Sequence, residues 1–494
     1  MNVTSLAICS VKDIRQIESI AIDSGSDQEL LVLKAGYQVA LKINQLYQKK
    51  HVVVLSGPGL NGKDGLYAGF FLQEMGWKVS ILSFYWSNTL TSHGFLAKKL
   101  GLRTAEFKIE NIDAYMQDTQ NILFIDAIFG IGLNKPIPQD LQQFMQAVND
   151  AMANLIAVDI PSGINADTGI IMGKTFQAVY TITFTTAKMA HFLMPAKKFI
   201  GSLIIVDIGL ANYFQQNQQQ IYKNHPLLWR DKLPKEQPEY HKYNRGVVSI
   251  LSGQMTGAVR LAAQATRMSG IGLVKIICHD NDKLIYCLDS PENVVIHTHE
   301  LLDYLKIYTN QKKYNHAFLI GSGFDTSIHN QKLVLELLSK GVPTVIDGGA
   351  ISCFEDNINL LFDNLHEEVI LTPHEGEFLR IFPQISGNKI QKAIRAASFS
   401  KATIVLKGPD TIVASPKGQV VVETPPPNLS VAGTGDVLAG IILSFIGQGL
   451  KAFDAACVAV WIHAESARRI SHGLTAATLT QQISFILASL RNEL

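Results

Sequence analysis

The sequence predicts an α/β protein of two domains, and three observations carry that prediction. Short runs such as His51-Val52-Val53-Val54-Leu55 and Ala402-Thr403-Ile404-Val405-Leu406 alternate with longer segments of helical period. Nearly every apolar run exits into Gly, Pro, Asp or Ser, as strands of a parallel sheet do where they meet a ligand edge. The chain has 494 residues, more than one ordinary hydrophobic core accommodates.

Composition narrows the class. Apolar residues make up 47% and charged residues 17%, a well-cored globular balance. Lys+Arg 43 against Asp+Glu 42 leaves a net charge of +1, with no basic excess to hold nucleic acid by its backbone. Cys9, Cys278, Cys287, Cys353 and Cys457 form no Cys-x-x-Cys and no zinc spacing, which points to reduced, cytoplasmic surroundings. We read no signal peptide at the start and no run of 18 uncharged apolar residues, so no membrane association is expected.

In the first half, 12–23 and 28–47 read as helices. The strand 51–55 runs into Ser56-Gly57-Pro58-Gly59-Leu60-Asn61-Gly62-Lys63-Asp64-Gly65, read as a loop ahead of a helix over 66–75. Strand, glycine-rich loop and helix together present backbone amides to a phosphate, although the spacing is neither a Walker A loop nor a strict GxGxxG. Further strands are Val79–Phe84, Ile122–Asp126, Leu155–Asp159, Thr181–Phe184 and Leu203–Val206, with helices at 89–100 and 139–149. Three strands therefore end at Asn61/Asp64, at Asp126 and at Asp159/Ser162. A single strand-end aspartate is more often a helix cap; three on one sheet edge suggest a site, with hard oxygens suited to a cation. Lys188 has the reach for a phosphate or for solvent, and its spacing favours solvent.

Residues 216–239, rich in Gln, Pro and charge, read as a linker between domains 1–215 and 240–494. The second domain repeats the pattern with strands at 246–251, 272–278, 316–320, 342–346, 369–372 and 402–406 and a helix at 258–269. Its sharpest stretch is Gly433-Thr434-Gly435-Asp436-Val437-Leu438-Ala439-Gly440. A glycine-bracketed turn at a helix start offers unpaired amides to an anion, and a carboxylate placed there suggests chemistry beside that anion. Asp436 is the candidate base; an ordinary helix-capping aspartate is the alternative. Lys407, at a strand end, is a candidate phosphate contact, His374 a candidate ligand contact, and His463 a satisfied helix histidine.

Gly57–Gly65, Asp126-Ala127-Ile128-Phe129-Gly130-Ile131-Gly132-Leu133 and Asp159-Ile160-Pro161-Ser162-Gly163 resemble the N-terminal, Rossmann-like epimerase domain of the NAD(P)H-hydrate repair family. His241-Lys242, Thr256-Gly257-Ala258, Thr372-Pro373-His374-Glu375, Lys407-Gly408 and Gly433–Gly440 resemble the family's C-terminal, ribokinase-like dehydratase domain. The resemblance implies an enzyme that interconverts the R and S hydrates of NADH and NADPH. It also implies dehydration of the S form at the expense of ADP, or ATP, with release of phosphate.

By that likeness, Leu60, Asn61, Gly62, Lys63 and Asp64, with Gly130, Ile131, Gly132, Leu133, Asn134, Lys135 and Pro136, hold the hydrate. Asp159 contacts it near the reacting ring, and Asn61, Asp126 and Ser162 bind K+. In the second domain Ala258, Gly323 and His374 contact the hydrate, while Lys407, Gly408, Pro409, Asp410 and Thr411 with Gly433, Thr434 and Gly435 hold the nucleotide. Asp436 deprotonates the hydrate hydroxyl, and Mg2+ shares the phosphoryl charge. A homo-oligomer is expected.

The chain departs from the family pattern at Leu60 and Lys63, at Gly321-Ser322-Gly323, at Asp347-Gly348-Gly349 and at Thr424-Pro425-Pro426-Pro427-Asn428. A dehydratase with a weakened first domain, and a kinase of a small hydroxylated metabolite, are the competing expectations. The fused first domain and Thr-Pro-His-Glu weigh against the kinase. A nucleotide sensor with decayed sites would have no need for Asp436.

Overall fold

The computed structural model describes residues 3–86, 91–214, 221–235, 237–308 and 315–492. The chain divides into two compact units, Met1–Gln219 and Gln220–Leu494.

The first unit is built on seven parallel strands. From one edge they run Thr104–Glu106, Lys78–Ser83, His51–Ser56, Ile122–Ala127, Asn154–Val158, Tyr180–Phe184 and Ser202–Val206. Chain order reverses on either side of His51–Ser56, so the crevice at the carboxyl ends of this strand and Ile122–Ala127 is the topological switch point. Central strands such as Leu123–Ile125 and Leu155–Val158 are buried throughout, which is why they read as unbroken apolar runs rather than alternating ones. A parallel pairing of Ile8–Cys9 with Ala187–Lys188 fastens the N-terminal arm beside the last strands. The helix Val11–Asp23 then starts from a Ser10/Asp13 capping box.

The stretch expected as a loop at Leu60–Gly65 is instead the first turns of the helix Leu60–Glu74, capped by Gly59. Two glycines hid this start, because glycine lowers helix propensity. Packing requires them. A Cβ on Gly62 would lie 1.9 Å from Gly57 O, and one on Gly65 would lie 2.5 Å from Ala127 Cβ. The family-divergent Lys63 sits within this helix, and its backbone is not among the positive-φ residues.

The second unit carries ten strands, ordered Ile221–Lys223, Val420–Glu423, Thr411–Ala414, Thr403–Leu406, Val369–Leu371, Thr344–Ile346, His316–Ile320, Val247–Leu251, Leu273–His279 and Val294–Thr298. All neighbours are parallel except the two pairings of Thr411–Ala414. The helix Thr434–Gly447 is buried from Val437 to Gly447 and packs on Thr256–Met268, Ala452–Arg468 and Ala476–Asn492 at the centre of the core. A Cβ on Gly440 would lie 2.3 Å from Ala262 O, so that glycine sets how closely the first two of these helices approach.

From Ile221 onward the expected linker is built into this unit. Ile221–Lys223 extends the sheet, and buried Trp229 donates to Asn224 Oδ1 at 3.0 Å while Asn224 Nδ2 donates to Cys457 O at 2.9 Å. Residues 216–220 and 236 of that stretch, and residues 89–90 of the expected helix 89–100, lie outside the described residues.

Candidate active sites

The first unit gathers its polar strand ends at the switch point. Asp126 is fully buried; Oδ2 accepts from Ser162 N at 2.7 Å, and Oδ1 accepts from Ser162 Oγ at 2.6 Å and Ile128 N at 3.3 Å. Burial pushes its carboxyl up to about 6, against the pull of the Ser162 and Ile128 hydrogen bonds. Phe129 N donates to Ser162 Oγ at 2.8 Å. Asn61 is buried, and its Nδ2 has no hydrogen-bond partner among the described residues. A Cβ on Gly130 would lie 3.2 Å from the Asn61 side chain, so the glycine lets the loop lie directly on that amide. Of Asn61, Asp126 and Ser162, expected together, Asp126 and Ser162 are joined directly, and Asn61 lies against Gly130 of the loop that follows Asp126.

Asp159 follows the strand Asn154–Val158 with φ +66°. Its Oδ1 accepts from Lys188 Nζ at 2.6 Å and from Thr183 Oγ1 at 2.7 Å, and its carbonyl accepts from His191 Nε2 at 2.9 Å. Burial alone would raise its pKa; the Lys188 charge and the hydrogen bonds from Lys188 and Thr183 outweigh it and hold the carboxyl below its ordinary value.

The expectation for Lys188 is therefore overturned. It is buried at 1% exposure, paired with Asp159, and donates also to Thr183 Oγ1 at 2.7 Å and Phe184 O at 3.2 Å. A signal for this was present: Lys188 is the only Lys, Arg, Asp or Glu between Thr175 and Ala196. A lone cation in so apolar a run is more readily a buried, paired group than a solvated one.

Asp64, Asp159, Lys188 and Leu60 line one cleft with Ile14, Ile17 and Glu18 of the first helix, Gln28, Thr185 and a remainder of apolar side chains. Asp64 is pushed well above the usual carboxylate range by burial, then by the Asp159 and Glu18 charges. Glu18 is raised too, by burial and then by Asp159. The cleft thus sets Asp159, held toward its charged form by buried Lys188, beside Asp64, which burial pushes toward its neutral form. Glu18 was not foreseen, because nothing local marks a helix glutamate as facing a cleft. Ile131 lines the same cleft, and Gly132 lies 4.0 Å (Cβ position) from the Arg15 guanidinium. Leu133 O accepts from Asn165 Nδ2 at 3.1 Å, and Asn134, Lys135 and Pro136 continue along the exposed loop.

In the second unit, Gly433 (φ +85°) caps the helix Thr434–Gly447 without a side-chain hydrogen bond, and Asp436 lies in the first turn rather than at the cap. Thr434 Oγ1 donates to Leu429 O and Val431 O, so the Pro425–Pro427 turn is tied to the helix start. From below, buried His463 donates from Nε2 to Thr434 O at 2.8 Å; burial holds its ring near 4 and hence neutral, as expected of a satisfied histidine.

Lys407 Nζ donates to Asp347 Oδ1 at 2.7 Å, and a Cβ on Gly435 would sit 3.8 Å from the same ammonium. Asp347 is fixed by Thr372 Oγ1 at 2.6 Å. Burial opposes the charge on Lys407, but Asp347, Glu377 and Asp436 hold its pKa above the ordinary value. Asp436 is pushed up to about 6, first by burial and then by Asp347, with Ser322 and Lys407 pulling it down. Asp436, Lys407 and Asp347 thus share one edge of the sheet.

The other expected residues surround that edge. Gly323 (φ +75°) accepts from Met255 N at 3.0 Å, and Ala258 N donates to Met255 O at 3.1 Å, so both belong to one loop junction. His374 caps the short helix Glu375–Ile381: its Nδ1 accepts from Gly376 N at 3.0 Å and Glu377 N at 3.2 Å. Its ring remains half exposed, with Nε2 3.5 Å from Glu377 Oε1. Asp410 is paired with Lys389 at 2.7 Å, and Thr411 Oγ1 donates to Gly408 O at 2.8 Å; these contacts brace from within the turn after Lys407 that contains Pro409.

Against known proteins, residues 28–190 match the family described as YjeF-related protein N-terminus, and residues 248–489 match that described as NAD(P)H-hydrate dehydratase. A bifunctional NAD(P)H-hydrate repair enzyme of Dictyoglomus turgidum is 30% identical over 457 residues, covering 87% of this chain and 88% of that protein. One from Escherichia coli is 28% identical over 465 residues, covering 92% and 88%. Among solved structures, an ADP/ATP-dependent NAD(P)H-hydrate dehydratase from Bacillus subtilis, co-crystallised with ATP/Mg2+, is 26% identical with a TM-score of 0.45, covering 53% of this chain and 95% of that one.

Proposed function

The chain belongs to the bifunctional NAD(P)H-hydrate repair enzyme family, and from that premise we propose how its two units divide the work. The first interconverts the R and S epimers of hydrated NADH and NADPH; the second dehydrates the S form with ADP, yielding NAD(P)H, AMP and phosphate.

In the first unit, the observation that supports the reading is the buried Asp159–Lys188 pair facing the cleft beside Asp64, whose carboxyl burial pushes toward its neutral form. Epimerisation at a hydroxyl-bearing carbon needs a group that takes a proton and one that gives it. Asp159 serves as acceptor and anchor for the ring, Asp64 as donor, and Lys188 keeps Asp159 ionised. The helix start at Leu60–Asp64 and the Gly130–Pro136 loop hold the rest of the hydrate.

Asn61, Asp126 and Ser162 offer an amide oxygen, a carboxylate and a hydroxyl oxygen, all buried. That set fits a hard monovalent cation such as K+. When bound, the ion would fix the loops bearing these residues and lend positive charge to the nucleotide's phosphates.

In the second unit, Asp436 removes the proton from the hydrate hydroxyl, whose oxygen then attacks the terminal phosphoryl group of ADP as AMP departs. The phosphorylated hydrate loses phosphate and a ring proton, restoring the double bond. Phosphorylation serves this end because hydroxide is a poor leaving group and phosphate a good one. Lys407 and the amides of Gly433–Gly435 neutralise the transferring group in the transition state. Ala258, Gly323 and His374 border the hydrate, and the Lys407–Thr411 turn borders the nucleotide. Asp347 suits a Mg2+ ion that arrives with the nucleotide, because that ion keeps phosphate and water ligands and needs only one or two carboxylates; it would supply further charge neutralisation.

Five free cysteines fit a reducing cytoplasm, and among the described residues no helix is long and apolar enough to cross a membrane. We propose a cytoplasmic homo-oligomer.

The test is recovery of NADPH absorbance from a mixture of R and S NADPH hydrate, with ADP and ATP supplied in turn. Full recovery is expected. Recovery of the S fraction alone, beyond slow spontaneous epimerisation, overturns the epimerase reading, and no recovery with either nucleotide overturns the dehydratase reading.

A further inference from the structure

Two residues of the epimerase cleft share one strained backbone device. Asp159 and Thr185 each directly follow a strand, Asn154–Val158 and Tyr180–Phe184, with φ of +66° and +65°. At each, the chain closes a hydrogen bond around a single residue: Ile160 N donates to Val158 O at 2.8 Å, and Thr186 N to Phe184 O at 2.7 Å. With positive φ at the centre, these are three-residue turns of the rare, strained hand. Each central residue also donates its own amide to the next strand, Asp159 to Ile182 O and Thr185 to Val206 O, both at 2.7 Å.

At Asp159 the strain has an evident use, since it brings the carboxylate onto Lys188. At Thr185 the side chain has no such use among the described residues. A β-branched residue is ill suited to positive φ, where glycine or asparagine is at ease. Thr185 is 9% exposed and lines the cleft with Asp159 and Lys188, yet its Oγ1 has no hydrogen-bond partner among the described residues. Its neighbour Thr183 differs in this respect, with its hydroxyl committed to Asp159 and Lys188. A strained backbone and an unpaired buried hydroxyl are both unfavourable, and such costs persist where binding uses them.

We infer that Thr185 is a substrate contact of the epimerase, its hydroxyl hydrogen-bonding the hydroxylated ring of the nicotinamide nucleotide held beside Asp159. The inference rests on the epimerase reading above. A hydroxyl suits the task because it rotates between donating and accepting, whereas the two epimers present their ring hydroxyl on opposite faces.

Thr185→Val keeps the size and branching of the side chain and removes only the hydroxyl's hydrogen bonding; Thr185→Ser keeps the hydroxyl. Both are compared with the wild-type full chain for epimerisation of NADPH hydrate, with KM and kcat separated, and for thermal unfolding. The valine variant is expected to raise KM by about 2- to 12-fold, the span of one net hydrogen bond, without a lower Tm, and the serine variant to restore KM. An unchanged KM in the valine variant, with the wild type active, overturns the inference and leaves the epimerase reading standing, as does a lower Tm with KM unmoved. A wild type that does not epimerise overturns that reading and this inference with it.

Discussion

Replacing Lys188 by methionine removes the charge and keeps most of the volume, so it isolates what the ion pair does. Nζ lies 2.6 Å from Asp159 Oδ1, with side-chain exposures of 2% and 10%. At that separation, with an effective dielectric of about 20, the gross attraction is roughly 6 kcal/mol. Removing one partner of such a buried pair costs about 3–5 kcal/mol, because the other charge is stranded. In the wild type, Asp159 has a depressed pKa, so its stabilisation is present above the ordinary carboxylate value and is lost as pH falls through the depressed one. In Lys188→Met the stranded carboxyl titrates above its ordinary value, so the penalty is full at alkaline pH and shrinks as pH falls through that raised value. The deficit against wild type is therefore widest near pH 8 and narrower at pH 5. Hydrogen exchange read on peptides covering 122–158 reports the first unit alone, which avoids treating a two-unit chain as one transition. Epimerisation should fall at least 100-fold. The double variant Lys188→Met/Asp159→Asn should recover protection but not activity. Equal protection in wild type and Lys188→Met at pH 8, or a deficit that does not narrow at pH 5, refutes the argument.

Asp436→Asn should lower dehydration by about 10²–10⁴-fold, the usual worth of a positioned base, and leave epimerisation at the wild-type rate; equal loss of both activities would count against the assignment. Because Asp436 must be ionised to act and is pushed up to about 6, the dehydration rate at saturating ADP should fall as pH drops through about 6. A rate that stays flat from pH 5 to 8 would exclude it as the base. His374→Ala removes the cap of Glu375–Ile381 and should destabilise the second unit by about 1 kcal/mol, seen as a lower urea midpoint. His374→Asn should keep the midpoint while raising KM for the hydrate, which separates capping from contact.

The strand ends were legible because buried parallel strands carry an unbroken apolar signature that stops abruptly at the ligand edge. That pattern led directly to Asn61, Asp126, Asp159, Ser162 and Lys407, while Asp436 was read from the glycine-bracketed turn that opens its helix. It did not lead to Lys188, whose burial depends on a carboxylate 29 residues earlier, nor to Glu18, whose helix is fastened over the cleft by the Ile8–Cys9 pairing. Helix starts at glycine were also obscured. At Gly62 and Gly65 a close approach to Gly57 and Ala127 takes precedence over local propensity. The strand Ile221–Lys223 was missed because three residues carry no period; Val420–Val422 supplies the order. Thr411–Ala414 and Val420–Glu423 were passed over because the strands before them were read only as exits to a ligand edge, whereas here the sheet turns back on itself in antiparallel pairs.

Both sites set a carboxylate and a lysine at a parallel-sheet edge, yet the outcomes are opposite, and the difference lies in where the lysine's charge is spent. Lys188 is paired with Asp159, while burial and then the Asp159 charge raise the neighbouring Asp64 and Glu18 against its pull. Asp159 is thereby biased toward its charged form and Asp64 and Glu18 toward their neutral forms, a divergence that suits one group to accept a proton and another to give one. Lys407 is instead bound to Asp347, which Thr372 holds in place. Asp436 therefore feels the Asp347 charge as well as the ammonium, and burial tips its pKa upward to about 6. A base of that strength is still ionised at neutral pH, yet basic enough to take a proton from a hydroxyl as its oxygen forms a bond to phosphorus. Moving the Lys407 ammonium onto Asp436 would stabilise the carboxylate and weaken the base, so the Asp347–Lys407 contact is as much a part of the dehydration chemistry as Asp436 itself.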